Sequence, residues 1–183
     1  MTNENPKYFG VYRGTVINNV DPMQTGRIQV VVPDVGGLTP STWAMPCVSF
    51  TSRQAGTFVV PVIGSGVWIQ FENGDPDYPV WTGGWWASAA EVPMAALAGN
   101  PASPSIVLQT TLQNAIIVSD MPPSPPPPVM PPTPTTGGII LRSTTGAYVV
   151  VNDAGIFISN GKGASIELLG PSVMINKVAL VVT

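Results

Sequence analysis

Along the second half of the chain, apolar residues recur in pairs separated by one position: Ile106/Leu108, Ile116/Val118, Ile139/Leu141, Val149/Val151, Ile156/Ile158, Ile166/Leu168, Val173/Ile175 and Leu180/Val182. This spacing puts both members of a pair on one face of a β-strand. Turn signals lie between pairs: Thr145-Gly146, Asn152-Asp153-Ala154-Gly155, Asn160-Gly161-Lys162-Gly163 and Gly170-Pro171. Where nothing is inserted, pairs follow one another at about seven or ten residues, a loose repeat of the kind that builds β-solenoids and β-helices. Each strand offers one narrow apolar face, and the sequence holds neither an amphipathic helix nor a second sheet to cover it. Three copies around a common axis turn those faces inward and let strand edges pair between chains. The expected trimer core is Ile139, Leu141, Val149, Val151, Ile156, Ile158, Ile166, Leu168, Val173 and Ile175. Trimerisation follows here from a missing core.

The first half has a different pattern. Strand candidates are Tyr8–Asn18, Arg27–Val32, Trp43–Val48, Thr57–Pro61, Gly66–Glu72 and Val80–Trp85, with Asp21-Pro22-Met23-Gln24-Thr25-Gly26 as a hairpin connection. Val67, Ile69 and Phe71 alternate with Trp68, Gln70 and Glu72. So many short strands within 8–86 predict a small closed barrel, with the five-stranded OB-fold as the natural candidate. The fold class is therefore all-β: an OB-fold barrel over 1–86, a linker over 87–104, and an intertwined trimeric β-helix over 105–183. The linker is rich in Ala, Ser, Pro and Gly and has room for one helical turn around Glu91–Leu97, because Pro93 and Gly99 oppose anything longer. A Pro-rich insertion at about 121–136 interrupts the repeat. Proline has no amide to give a sheet ladder, so an extended polyproline excursion is expected there, read as a spacer in preference to a ligand for a proline-recognition domain.

Composition narrows the function classes. Only 9% of residues are charged, against 44% hydrophobic, so much of the surface should be buried against other chains. The formal net charge is −3, with seven Lys and Arg and no basic run, which argues against nucleic acid as a partner. Met1–Lys7 is polar, without an apolar signal region, and no apolar run approaches the ~20 residues of a membrane helix. Synthesis in a bacterial cytoplasm is expected.

Candidate chemistry is sparse. The chain has no histidine and one cysteine, Cys47, which excludes a His-dependent triad, an internal disulfide and a cysteine metal cluster. Asp75 and Asp77, with Glu72 nearby, form a possible carboxylate pair, but Asn73-Gly74-Asp75-Pro76 is a plain turn signal. No catalytic residue, cofactor or metal site is expected, and the protein is read as a non-enzyme. Trp68 and Trp81 are expected in the barrel core or between barrels. For the adjacent pair Trp85 and Trp86, one ring is expected to pack inward and the other to meet a neighbouring barrel or a hub protein. An OB module that stacks oligosaccharide or single-stranded nucleic acid on exposed indoles is the alternative reading.

Asp75-Pro76-Asp77-Tyr78-Pro79-Val80-Trp81 followed by Gly83-Gly84-Trp85-Trp86 resembles the barrel signature of the phage baseplate assembly protein V family. That family is similar to the OB part of VgrG, the spike protein of type VI secretion systems. Tyr12-Arg13-Gly14-Thr15-Val16, Asn19-Val20-Asp21-Pro22, Gly26-Arg27-Ile28-Gln29-Val30, Trp43-Ala44-Met45-Pro46-Cys47 and Gly64-Ser65-Gly66-Val67-Trp68 extend the likeness. The stretch Gly155–Ile166 resembles the β-helix that follows the barrel. The resemblance implies a homotrimeric spike at the baseplate centre of a phage tail or other injection particle. Its barrels would meet the tail-tube hub, and its needle would touch the target membrane only during injection. Some relatives carry a lysozyme domain between barrel and needle, for which the linker is too short, and others carry a His-x-His tip metal site. The apolar end Leu180, Val181, Val182 and Thr183 is instead expected to dock a separate PAAR-type tip protein.

Overall fold

The structure, a computed structural model, describes residues 6–98, 100–121, 137–177 and 179–182, with Val181 described for its backbone alone. The polyproline excursion expected after Met121 and the docking residue Thr183 lie outside the described residues. The chain divides into two compact units, Met1–Glu91 and Val92–Thr183.

The first unit contains β1 (Tyr12–Asn18), β2 (Gln29–Val31), a single helical turn α1 (Pro33–Gly36), β3 (Met45–Pro46), β4 (Thr51–Ser52), β5 (Ala55–Gly56), β6 (Gly66–Phe71) and β7 (Pro79–Trp85). Five of these strands form one sheet in the order β2-β1-β6-β7-β3, in which β3 runs parallel to β7. Ile28 and Ala44, flanking β2 and β3, exchange backbone hydrogen bonds of 3.2 and 2.7 Å. That bridge joins the two ends of the sheet and closes it into a barrel. The core is Val16, Ile28, Val30, Val32, Ala44, Val67, Ile69 and Trp81, with Tyr12, Val35, Val60 and Phe71 packed against it. Burying these side chains, most of them β-branched, is the main stabilisation available to a barrel this small.

Two strand expectations change. The first strand starts at Tyr12 instead of Tyr8, because Gly10 turns the chain at φ +131°. Thr57–Pro61 is not a strand. The pairing falls instead on the β4–β5 hairpin, turned by Gln54 at φ +57°, while Pro61 offers only its carbonyl, which accepts from Asn19 Nδ2 at 3.0 Å.

The second unit begins with the helical turn α2 (Met94–Leu97) and continues as β8 (Ile106–Gln109), β9 (Ala115–Ser119), β10 (Gly138–Arg142), β11 (Tyr148–Asn152), β12 (Gly155–Ser159), β13 (Ser165–Leu169), β14 (Ser172–Ile175) and β15 (Leu180–Val182). These eight strands form one antiparallel meander in sequence order. Every ladder joins consecutive strands of the same chain, so β8 and β15 each pair on one side only among the described residues. Side chains make the turns between strands. Asn152 Oδ1 accepts from the backbone N–H of Ala154 and Gly155, and Asn160 Oδ1 from those of Lys162 and Ala164.

Candidate assembly surfaces

Register turns the scattered apolar pairs into two continuous rows. One runs Ile106–Val118–Ile139–Val151–Ile156–Leu168–Val173–Val182 and the other Leu108–Ile116–Leu141–Val149–Ile158–Ile166–Ile175–Leu180. All ten residues expected in a trimer core therefore share one face of the sheet. Apart from half-buried Val149, every member of both rows is exposed in the isolated chain, Ile139 at 48% for example. A contiguous apolar face of this kind marks an interaction surface.

The opposite face was not anticipated. Ala115, Ile117, Ile140, Val150 and Phe157 are buried there, with Ala95 of α2, Val107, Tyr148 and Leu169 around them. Phe157 is 1% exposed. The signal was present as uninterrupted triplets, Ile116-Ile117-Val118, Ile139-Ile140-Leu141, Val149-Val150-Val151 and Ile156-Phe157-Ile158, since a strand apolar on both faces loses its alternation. In β13 the central position is Glu167, which breaks the triplet there.

The barrel's tryptophans divide between core and surface. Trp81 is buried, and its Nε1 donates to Gly26 O at 3.1 Å. Trp68 lies on the outer face of β6, as the alternation with buried Val67 and Ile69 requires. In β7 the register slips: Trp68 pairs with Gly83 and Ile69 with Trp81, leaving Thr82 as an extra residue. This bulge reverses the facing of everything after it. Trp85, which shares parity with Trp81, thus comes out beside Trp68, with ring centroids 6.2 Å apart. The Arg13 guanidinium covers both indoles, 5.7 Å from one centroid and 5.1 Å from the other. Neither ring of Trp68 and Trp85 packs inward, and Arg13 occupies the face on which a base or sugar would stack. Trp86 is 63% exposed.

A second unanticipated feature locks the β1–β2 connection. The buried Asp21 carboxylate accepts the backbone N–H of Met23, Thr25 and Arg27, the Thr25 hydroxyl, and the Arg27 guanidinium from Nε at 3.0 Å and Nη2 at 2.6 Å. The guanidinium, helped by those N–H donors, holds the Asp21 carboxyl well below the usual carboxylate range despite burial. Arg27 in turn is pushed up by Asp21, and its guanidinium lies over Trp43 at 5.3 Å. Pro22 and Gly26 advertised a turn, but a carboxylate with six donors is visible only in three dimensions.

Asp75 and Asp77 make a turn. Asp75 Oδ1 accepts from Asp77 N at 3.1 Å, and Asp75 Oδ2 lies 3.5 Å from Lys7 Nζ. Cys47 is exposed, and its backbone N–H bonds Trp81 O. No group of three or more Cys, Asp or Glu side chains is arranged to hold a metal among the described residues. In β15, Leu180 and Val182 are 52% and 57% exposed.

Residues 12–86 match the type VI secretion system/phage-baseplate injector OB domain, and residues 105–181 match the phage baseplate V C-terminal trimerisation domain. The chain belongs to the phage baseplate V family. Both matched segments coincide with the β-structure described above: the barrel strands lie in the first, and β8–β14 in the second. A comparison with curated proteins found no significant match. Family membership makes the chain a component of a baseplate or injection particle, and the trimerisation domain supports a homotrimer assembled there.

Proposed function

We propose that the protein is the central spike of a contractile injection machine, a non-enzymatic part that joins the tail-tube hub to the membrane-piercing tip. The observation that carries this reading is the pair of unbroken apolar rows along one face of β8–β15. Three such faces turned toward a common axis form a closed β-helical needle whose hydrophobic interior needs no other element. The work of puncture comes from sheath contraction, and the needle transmits force without unfolding. The protein is made in the cytoplasm and acts in the particle. Light scattering or native mass spectrometry on the full chain tests the reading. A stable, detergent-resistant trimer is expected, and a monomer would overturn it.

The two units take different partners in this proposal. Exposed Trp86, next to the Trp85–Trp68–Arg13 cluster, meets the hub or a neighbouring barrel. The last strand, with Leu180 and Val182 exposed, seats a PAAR-type tip protein together with Val181 and Thr183. A chain ended after Ile175 is expected to keep its trimer and lose tip co-purification; retention of the tip would sink this assignment.

A further inference from the structure

The meander sorts charge. Residues 92–183 hold six charged side chains: Asp120, Arg142, Asp153, Lys162, Glu167 and Lys177. In an antiparallel meander, successive turns fall on alternate margins of the sheet. Turns after β8, β10, β12 and β14 lie along one margin, and those after β9, β11 and β13 along the other. Arg142 ends β10, Lys162 sits in the β12–β13 turn and Lys177 in the β14–β15 turn, so the first margin carries all three cations and no anion. Asp120 follows β9 and Asp153 lies in the β11–β12 turn, so the second margin carries two carboxylates and no cation. Glu167, within β13, belongs to neither.

The two margins also match in spacing. Asp120 and Asp153 lie two strands apart, as do Arg142 and Lys162, and each interval spans about 10 Å at the usual strand separation. Asp120 and Asp153 both line one open cleft of about 400 Å³, together with Ser119, Gly138 and Asn152. Asp120 and Asp153 thus give this margin its negative charge. On the opposite margin, the Asn160–Ala164 turn carries an exposed Lys162.

A three-fold ring needs a heterologous contact, in which one surface of each copy meets a different surface of the next. We propose that the cationic margin of each copy docks on the anionic margin of its neighbour, with Arg142 facing Asp120 and Lys162 facing Asp153. This rests on the trimeric spike proposed above and adds what closes its corners: the apolar rows fill the axis, and the charged margins set the direction and register of the ring.

The test uses the full chain carrying Cys47→Ser, Asp153→Cys and Lys162→Cys, oxidised gently and run on a denaturing gel beside each single-cysteine control. Within one chain, β12 separates the two positions by five residues, or about 17 Å, beyond disulfide reach. Covalent dimers and trimers from the double-cysteine chain alone are expected. An intact trimer on native mass spectrometry whose thiols stay unlinked would overturn the margin pairing while sparing the spike, including the case in which the chain's own Pro-rich segment fills the cleft. A monomer would overturn both. Charge reversal gives an independent reading: Asp153→Lys is expected to lower the melting temperature of the trimer, and adding Lys162→Asp to recover it. A double variant no more stable than the single one counts against the pairing.

Discussion

The indole of Trp85 lies directly over Gly66, so that a Cβ at Gly66 would stand 2.6 Å from ring atom Cε2. The two residues are register partners across β6 and β7, and Trp85 Nε1 donates to the carbonyl of the next residue, Val67, at 3.2 Å. Gly66 is needed here for closeness of approach, since its φ is not among the positive values. Gly66→Ala is expected to push the indole off the sheet, loosen its contact with Trp68 and Arg13, and cost about 1–3 kcal/mol. Denaturant unfolding followed by fluorescence reads this, and an unchanged midpoint would mean that the ring moves aside freely.

Asp21 makes the barrel sensitive to strong acid. Its folded-state pKa is depressed, chiefly by Arg27, so its contribution is fully present above the ordinary carboxylate value of about 3.9 and is lost as pH falls below that. Asp21→Asn keeps the shape but removes the charge that Arg27 and the three backbone N–H groups address. The wild-type barrel is expected to hold its melting temperature from neutral pH down to about 4 in this respect and to lose it below. The Asn variant should start lower and show a weaker fall in that acid range. Parallel melting curves of the two proteins across pH check it.

How far these features could be read from the residues differs by level. Strand existence and the apolar faces were accessible, because an i, i+2 period survives in the sequence wherever one face is buried, as at Ile156/Ile158. The unbroken rows were not, because they depend on register, and register is set by turn lengths acting together. The buried cluster around Phe157 was hidden by the same triplets that announced it, since a residue between two exposed apolar neighbours reads as continuation. Trp85 shows a third obstacle. One extra residue at Thr82 moves its ring from the inner to the outer face, and nothing local in Thr82-Gly83-Gly84 states on which side of the bulge the register resumes.

The two faces of the C-terminal sheet should respond differently to substitution. Ile158→Asp introduces a charge on the exposed apolar rows and is expected to abolish the trimer, because a lone carboxylate would be buried at its axis. Phe157→Ala removes the largest buried side chain of the opposite face and is expected to cost about 3–5 kcal/mol of the unit's own stability. Native mass spectrometry reads the first, and far-ultraviolet circular dichroism on heating reads the second. Loss of trimer in neither variant would mean that the rows are not the association surface.

The indole N–H of Trp81 is the one polar group that the barrel's buried core cluster has to satisfy from a side chain, and Gly26 O is its acceptor across 55 residues of sequence. Trp81→Phe keeps an aromatic ring but leaves that carbonyl buried without its donor, at an expected cost of about 1–3 kcal/mol. The location of the other tryptophans makes the result readable. Trp43, Trp68, Trp85 and Trp86 all lie in the first unit, and the second has none. Tryptophan fluorescence therefore follows the barrel alone, whereas circular dichroism follows both units. The Phe variant is expected to unfold earlier by fluorescence while keeping its trimer on native mass spectrometry. A coincident loss of the trimer would instead mean that the barrel's stability is required to hold the three chains together.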